Sequence, residues 1–507
     1  MSAGTELDKG AIARGLLIPR PQVVIGQRVR PVVGLDFAEL RSQYPLAVLS
    51  RDHDTVCTHA VDSAEIAASL ESAGLNDRMV REEYRVGNVF ELSRQLYNLV
   101  PRRAGVLTPA SDPWYFPRTR HLGRGVLYAL PMLPYAAVLR LLHVSTAIIV
   151  TLLVGNVAAM ALTQGVSHLA HSLKGHGAPG SAARLLRPAM LFAVLLAIGF
   201  GALASFTDVL PRAAVAIAAG QLVYVVAATV LLIFDRDRLL LCSLVPLAIG
   251  SALAVAIPPD RVSLRVLEVF GGAIGIAVAT VMVMAWTTTR AVIRQAPNER
   301  LMTVSAGDVK SALLHGLYGA LTAALLMFAV LDIMSSAGQH NVSSIVGIGM
   351  LPLAASLGFA EMQLYAFRSD CTALLHRVQG LGTFAKGVRR SLASRGLRYA
   401  LALSTLTAVV LVPASLAHQV DNVSLLRHLD YAELGIALLG AMVLVSCQLT
   451  GRAVLLLAAG LACDLLSRGL RVNVVTLSIV HLVAFAALAL AVWATAALTL
   501  GSPFRHR

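Results

Sequence analysis

Between residues 126 and 500 the chain is a succession of apolar runs, most of them close to 20 residues long, separated by short basic connections. A run of that length matches the hydrocarbon core of a bilayer. Inside lipid every backbone N–H and C=O must find a partner within the segment, so each run is expected to be a helix. Composition supports this reading. Of 507 residues, 57% are hydrophobic and only 14% charged, and the mean hydropathy is +0.72. Such a chain is excluded from the soluble globular class. The net charge of +14 is nearly all arginine, because Lys9, Lys174, Lys310 and Lys386 are the only lysines. These charges fall between apolar runs, as the positive-inside bias requires, so no nucleic-acid partner is expected. Membrane lipids are the expected surroundings.

Twelve spans are expected, near 126–142, 145–166, 188–206, 213–234, 239–257, 266–286, 311–334, 342–366, 399–417, 433–450, 453–467 and 474–500. The first is broken by Pro131 and Pro134, and the eleventh is short. With the N-terminus inside, alternating spans place 24 Lys and Arg residues in the inner connections and seven in the outer ones. One span fewer would put the basic stretch 368–398 outside, against the bias. Both termini of a multi-pass cell-membrane protein are therefore expected in the cytoplasm. The spans fall into a first half (125–286), a cytoplasmic connector (287–310) and a second half (311–507). In each half the long basic connection follows the second span, at 167–187 and 367–398. Equal parity and matching loops predict two six-helix repeats related by an axis along the membrane normal, although no residue-level similarity is evident. Gly271-x-x-x-Gly275, and Gly199 with Gly201, are expected at close helix contacts. In 368–398, Leu374, Leu375, Val378 and Leu381 alternate with Arg377, Lys386, Arg389 and Arg390. That pattern reads as an amphipathic helix on the cytoplasmic leaflet or as a solvated basic loop.

Residues 1–124 differ in kind, being polar and charged. They are expected to form a small, mainly helical cytoplasmic region, with a strand or two in 16–36. One helix should start on Asp62 with Glu65 three residues on, bury Ile66 and Leu70, and stop at Gly74. A second should cover Asp77–Tyr84 and end at Gly87. A third should start on Asn88 with Glu91, present Phe90, Leu92, Leu96 and Leu99, and stop at Pro101. "ASDPWYFPRTRHLGRG" (110–125) sets Trp114, Tyr115 and Phe116 beside Arg118, Arg120 and Arg124, an interfacial anchor. His53, Cys57 and His59 with Asp52 and Asp54 match no standard zinc spacing. Cys57, Cys242, Cys371, Cys447 and Cys463 are too scattered for a disulfide framework. The N-terminus has no apolar stretch of signal-peptide type, so the first span is expected to direct insertion.

Function is expected where charge enters the apolar runs. An ionised group at mid-bilayer costs roughly 2.5–3.5 kcal/mol on insertion scales, so it should face the bundle interior or a wet cavity. The transport or ion-coupling candidates are Glu361, His315, Asp332, Asp464 and His481. Glu361 near the inner end of the eighth span either pairs with Arg368 at the interface or couples an ion, and His315 could approach it. Asp332 reads more simply as an interfacial cap, Asp464 as a local partner of Arg468, and His481 as a satisfied core histidine. Arg140 and Arg452 are candidates for an anionic substrate, or for snorkelling. No Walker A, GxGxxG, HExxH or GxSxG sequence occurs, so no cofactor, metal or enzymatic activity is expected.

The seventh and eighth spans, "LLHGLYGALTAALLMFAVLDIM" and "IVGIGMLPLAASLGFAEMQLYAFRSDCTALLHRV", resemble the corresponding region of the multidrug/oligosaccharidyl-lipid/polysaccharide flippase superfamily. The nearest likeness is to its Pel-type exopolysaccharide membrane subunits. Glu361, Tyr365 and Arg368 then match an acidic residue preceding an aromatic and basic helix. The resemblance implies export of a polysaccharide or lipid-linked saccharide by alternating access, with Glu361 as a coupling carboxylate. Residues 1–124 have no counterpart in that common core and would meet polysaccharide synthesis machinery. A membrane-embedded glycosyl- or acyltransferase, or a non-transporting scaffold for a synthase, are the alternatives. The outer connections are short, the longest near 418–432, and leave no room for an external catalytic domain.

Overall fold

The computed structural model describes residues 45–60, 62–100, 117–134, 137, 146–206, 212–256, 264–297, 299, 302–336, 342–377, 380–416, 422–469 and 472–502. The strands expected in 16–36 lie outside the described residues, as do Pro101 and Trp114 to Phe116. The chain forms two units, Met1–Ser111 and Asp112–Arg507.

In the first unit, α1 (Pro45–Asp52) and α2 (Asp54–His59) precede α3 (Ser63–Ser72), the single turn α4 (Asp77–Met79), a π turn (Val80–Tyr84) and α5 (Val89–Leu99). Local chemistry sets the boundaries. Asp62 Oδ1 accepts from Glu65 N at 3.0 Å and Asn88 Oδ1 from Glu91 N at 2.9 Å, each satisfying an orphan helix donor. Helix α3 stops at Gly74, whose φ of +91° lets Leu75 N return to Leu70 O at 3.0 Å. Ile66, Leu70, Val80, Leu92 and Leu96 are fully buried, with Cys57 among them. Phe90 and Leu99 face outward instead of joining this core.

The second unit holds α6 (Arg118–Ala129), α7 (Thr146–Gly175), α8 (Pro179–Phe206), α9 (Arg212–Ile233), α10 (Asp237–Ala256), α11 (Leu264–Gln295), α12 (Ala306–Ser336), α13 (Val342–Arg377), α14 (Leu381–Leu416), α15 (Asn422–Ser446), α16 (Thr450–Arg468) and α17 (Val474–Thr499). No strand occurs among the described residues. Among the described residues, ten helices, α7–α12 and α14–α17, are long and apolar enough to cross a membrane. The protein is a multi-pass membrane protein, all-α among the described residues. The expected boundary after residue 124 falls inside α6, a helix that packs along α13 and so belongs to this unit.

Several helices outrun a bilayer. Helix α7 has 30 residues and α13 and α14 have 36 each, so α7 alone is about 45 Å long. Most of the expected long loops 167–187 and 367–398 is helix instead: α7 runs to Gly175 and α8 starts at Pro179, and α13 runs to Arg377 and α14 starts at Leu381. The expected surface helix in 368–398 is therefore split between the ends of α13 and α14. Of its expected apolar residues, Leu374 and Leu375 are half-buried, Leu381 is exposed and Val378 lies outside the described residues. Further along α14, Phe384, Val388 and Leu392 are buried, and Arg395 grips Asp370 at 2.9 Å. Three short connections at this end close in one way. Gly177, Asp235 and Gln448 take left-handed φ values of 76°, 58° and 61°. Each is followed by a return bond, Ala178 N to Leu173 O, Arg236 N to Leu231 O and Leu449 N to Leu444 O, at 2.8–3.0 Å.

Helix neighbours repeat along the chain. In the earlier set, α7 packs on α8 and α9, α8 on α9 and α11, α9 on α10 and α11, α10 on α11, and α6 on α10. In the later set, α13 packs on α14 and α15, α14 on α15 and α17, α15 on α16 and α17, α16 on α17, and α12 on α16, with α12 also packing on α13 and α15. The two sets meet chiefly in two pairs, α6 with α13 and α7 with α12. Small residues allow both. A Cβ on Gly358 would lie 2.6 Å from Gly125 Cα, and one on Gly316 3.0 Å from Ala161 O. The glycines expected at such contacts are elsewhere: Gly199, Gly201, Gly271 and Gly275 have nothing within 4 Å of a Cβ position. Spacing alone cannot tell a helix face that meets another helix from one that meets lipid.

Candidate functional site

The α6–α13 contact carries a charge cluster at the end of the bundle where these short connections lie. Gly125 and Gly358 bring the two backbones together, and one residue before Gly125 stands Arg124, three after Gly358 stands Glu361. Arg124 Nη1 donates to Glu361 Oε1 at 2.5 Å. Its Nε lies 3.4 Å from Asp237 Oδ2, at the start of α10. One turn back on α6, Arg120 reaches Asp237 at 2.8 Å and Asp235 at 2.5 Å. Lys174, closing α7, donates to Asp235 Oδ2 at 3.1 Å and to Ile233 O at 2.7 Å. Three cations thus face three carboxylates. His121 is buried beneath them, its Nδ1 3.9 Å from Glu361 Oε2 and its ring edge-on to Tyr365 at 5.2 Å.

Burial and charge oppose one another here. Burial alone would lower the basicity of Arg124, but Glu361 and Asp237 hold its guanidinium above the ordinary value. Burial would raise Asp235, yet Lys174 and Arg120 hold it below the usual carboxylate range. His121 is pushed down by burial and by Arg124 and Arg120, which keeps it neutral at pH 7. Side chains of Arg124 and Glu361 are 11% and 13% exposed, enough shielding that loss of either partner is costly. Glu361 Oε2 and Asp237 Oδ1 are buried without a hydrogen-bond partner, so the cluster has spare acceptor capacity.

The sequence-derived candidates occupy separate places. Glu361 meets Arg124 rather than Arg368, whose Nη1 is 3.5 Å from Cys447 Sγ. His315 does not join Glu361; it stacks on His168 of α7, ring centroids 3.7 Å apart. At the opposite end of the later set, Asp464 accepts from Arg468 Nε at 3.1 Å and lies 3.5 Å from His481 Nε2. Ser467 Oγ is 2.7 Å from that same nitrogen. Arg468 also donates to Phe328 O at 3.1 Å and lies over the Phe328 ring. Arg452 is exposed in the first turn of α16. Asp332 lies on α12 with its side chain outside the described residues, and Arg140 is outside them altogether. In the earlier set, Gln221 donates to Asn156 at 2.7 Å beside an apolar recess lined by Pro131, Pro134 and residues of α9, α10 and α11.

Sequence reasoning missed Arg124 and Asp237 as site residues because their partners are remote: Glu361 lies 237 positions from Arg124. The available signal was an Arg-Gly step opening an apolar span and a Gly-x-x-Glu step inside another. Compared with known protein families and with curated proteins, the chain matches none.

Proposed function

We propose that this chain is a membrane transporter of the flippase type. It moves a polysaccharide or lipid-linked saccharide by alternating access of two six-helix halves, α6–α11 and α12–α17, with both termini in the cytoplasm. The observation that carries the reading is the pairing of α6 with α13 and of α7 with α12. Counting α6 and α12 as equivalent first helices, a two-fold axis exchanges these two pairs. The same exchange relates most of the neighbours within each set; among the described residues, the packing of α12 on α13 and α15 is not reproduced at α6. It also relates the connection at Asp235 to that at Gln448, two left-handed residues with the same return bond. Two rigid halves meeting at two seams can rock, opening a central passage to either side in turn.

Arg124 and Glu361 latch one seam at the cytoplasmic end. The latch is buried, charge-balanced and built from both halves, so it stabilises one state and must part in the other. For a switch from mostly closed to mostly open, the two states must differ in substrate or ion affinity by about 5.5 kcal/mol. That is near the cost of parting a buried pair, about 3–5 kcal/mol. The test is Glu361→Gln in liposomes holding a fluorescent lipid-linked oligosaccharide. The variant should insert and fold but lose dithionite-detected flipping by at least tenfold. Wild-type flipping in that variant would remove Glu361 from the mechanism. No flipping by the native chain of this probe or of a soluble polysaccharide would sink the transport reading.

A further inference from the structure

The two seams share the spacing of their glycines and polar side chains, although a Cβ on Gly125 would meet Ala355 O, three residues before Gly358, and one on Gly316 would meet Ala161 O, four before Gly165. On α13, Glu361 follows Gly358 by three positions; on α7, His168 follows Gly165 by three. On α6, Arg124 directly precedes Gly125; on α12, His315 directly precedes Gly316. A Cβ on Gly358 would strike the backbone O of His121, four residues before Gly125. A Cβ on Gly165 would meet Ala312 O at 3.0 Å, four residues before Gly316. The exchange that maps one seam onto the other therefore puts His315 where Arg124 stands and His168 where Glu361 stands. One seam closes on an ion pair and the other on two imidazoles.

The imidazole pair is arranged to take a proton. The rings are nearly parallel, 12° apart in plane. His315 Nδ1 faces Ser311 O at 2.8 Å, and a carbonyl only accepts, so Nδ1 carries the hydrogen of the neutral ring. His315 Nε2, 3.3 Å from Thr450 Oγ1, is then the basic nitrogen. His168 Nε2 lies 2.8 Å from Ser311 Oγ, so one serine bridges both rings. The charged and titratable groups on surrounding elements are His171 and Lys174 on α7, His176 just after it, Asp308 and Lys310 on α12, Arg452 on α16, Arg184 and Arg187 on α8, Asp235 after α9, and Glu361 and Arg368 on α13. Basic groups outnumber acids, which favours one added charge over two.

We infer that His168 and His315 form a proton-binding site in the α7–α12 seam, a counterpart in register to the Arg124–Glu361 latch. The first proton is shared within the stack. The second puts like charges face to face across the 3.7 Å stack and loosens the seam. This deepens the transport reading and rests on it for the consequence: the driving ion is a proton, and the α7–α12 seam is where it acts.

The test measures the seam and not transport. Spin labels go on cysteines at Gly175 and Val309, both exposed at the ends of α7 and α12, in a chain lacking its five native cysteines. Distances are read in liposomes between pH 8 and pH 5, and histidine hydrogen–deuterium exchange follows each ring. The label distance should lengthen on acidification. The pH response should vanish in the His168→Gln/His315→Gln double variant and persist in Glu361→Gln. A distance that ignores pH in the chain with both histidines, which needs no variant to fold, overturns the inference. So does a pH response that survives the double substitution. A chain that transports with a pH-indifferent seam refutes this inference alone; a chain with a pH-sensitive seam that moves no substrate refutes the transport reading alone.

Discussion

Gly358→Ala should damage the protein more than any other single methyl added to a helix. The position is helical, so the intrinsic preference for Ala would favour the variant by up to about 1 kcal/mol. Against this, the new Cβ would lie 2.6 Å from Gly125 Cα, where ordinary contact begins at 3.4 Å, so α6 and α13 must part by at least 0.8 Å along that line. The obstacle is backbone, which cannot swing aside as a side chain would. Overpacking of this kind costs about 1–3 kcal/mol, leaving a net loss of up to about 2 kcal/mol before the ion pair is counted. The same displacement stretches Arg124 Nη1–Glu361 Oε1 from 2.5 Å toward the limit of a hydrogen bond. Thermal unfolding in detergent should therefore rank Gly358→Ala least stable. Gly165→Ala and Gly316→Ala should be intermediate, since their obstacles stand at 3.0 Å. Gly199→Ala, with open space around it, should be neutral or more stable than wild type. A Gly358→Ala protein as stable as Gly199→Ala would refute the claim that the backbones touch at this seam.

Other consequences follow from the same geometry. Asp464 is 1% exposed and held by Arg468, so Arg468→Ala should lower stability by about 3 kcal/mol, at the low end for a buried pair because Arg468 is partly exposed. Replacing both residues by Leu should recover part of that loss, and melting curves of the two variants decide it. Glu299 accepts from Gly180 N at 2.7 Å, Ser181 N at 2.6 Å and Ser181 Oγ at 2.7 Å, capping the start of α8. Its loss in Glu299→Ala should cost about 1 kcal/mol, as for other helix N-caps. The slight burial of Glu299 would raise its pKa, but bonds from Ser181 and Gly180 and the charge of Arg184 hold it below the usual value. A depressed folded value means that this contribution is complete above the ordinary carboxylate range. It disappears as pH falls through the folded value. Melting scans of wild type and Glu299→Gln should thus differ at pH 7 and converge in acid.

What the sequence made legible was local or periodic. Apolar runs of bilayer length announce helices because lipid leaves the backbone no alternative. Asp62, Asn88 and Gly74 announce helix ends because caps work through neighbours three or four residues away. The extensions of α7, α13 and α14 beyond the apolar runs were not legible. Their polar residues match either a loop or a solvated helix, and only the packing of Arg395 on Asp370 and of Leu374 against Gly387 decides between them. Turns at Asp235 and Gln448 were hidden because neither carries the glycine that usually marks a left-handed residue. The latch was half legible. Glu361 stood out as a carboxylate in oil, while Arg124 looked like an interfacial anchor until the fold placed it beside that carboxylate. The kinship of Gly358-x-x-Glu361 with Gly165-x-x-His168 emerges only from the contacts, since one carries a carboxylate and the other an imidazole.

The central claim is that the two halves must separate at the α6–α13 seam for anything to cross. His121 and Tyr365 face one another across it, ring centroids 5.2 Å apart. A His121→Cys/Tyr365→Cys chain, free of native cysteines, can be joined by a short bifunctional thiol reagent with a cleavable disulfide and assayed for flipping of the fluorescent lipid-linked oligosaccharide in liposomes. Joined protein should be inactive and should recover on reduction to the level of the unjoined double variant. Undiminished flipping by fully joined protein would contradict the account.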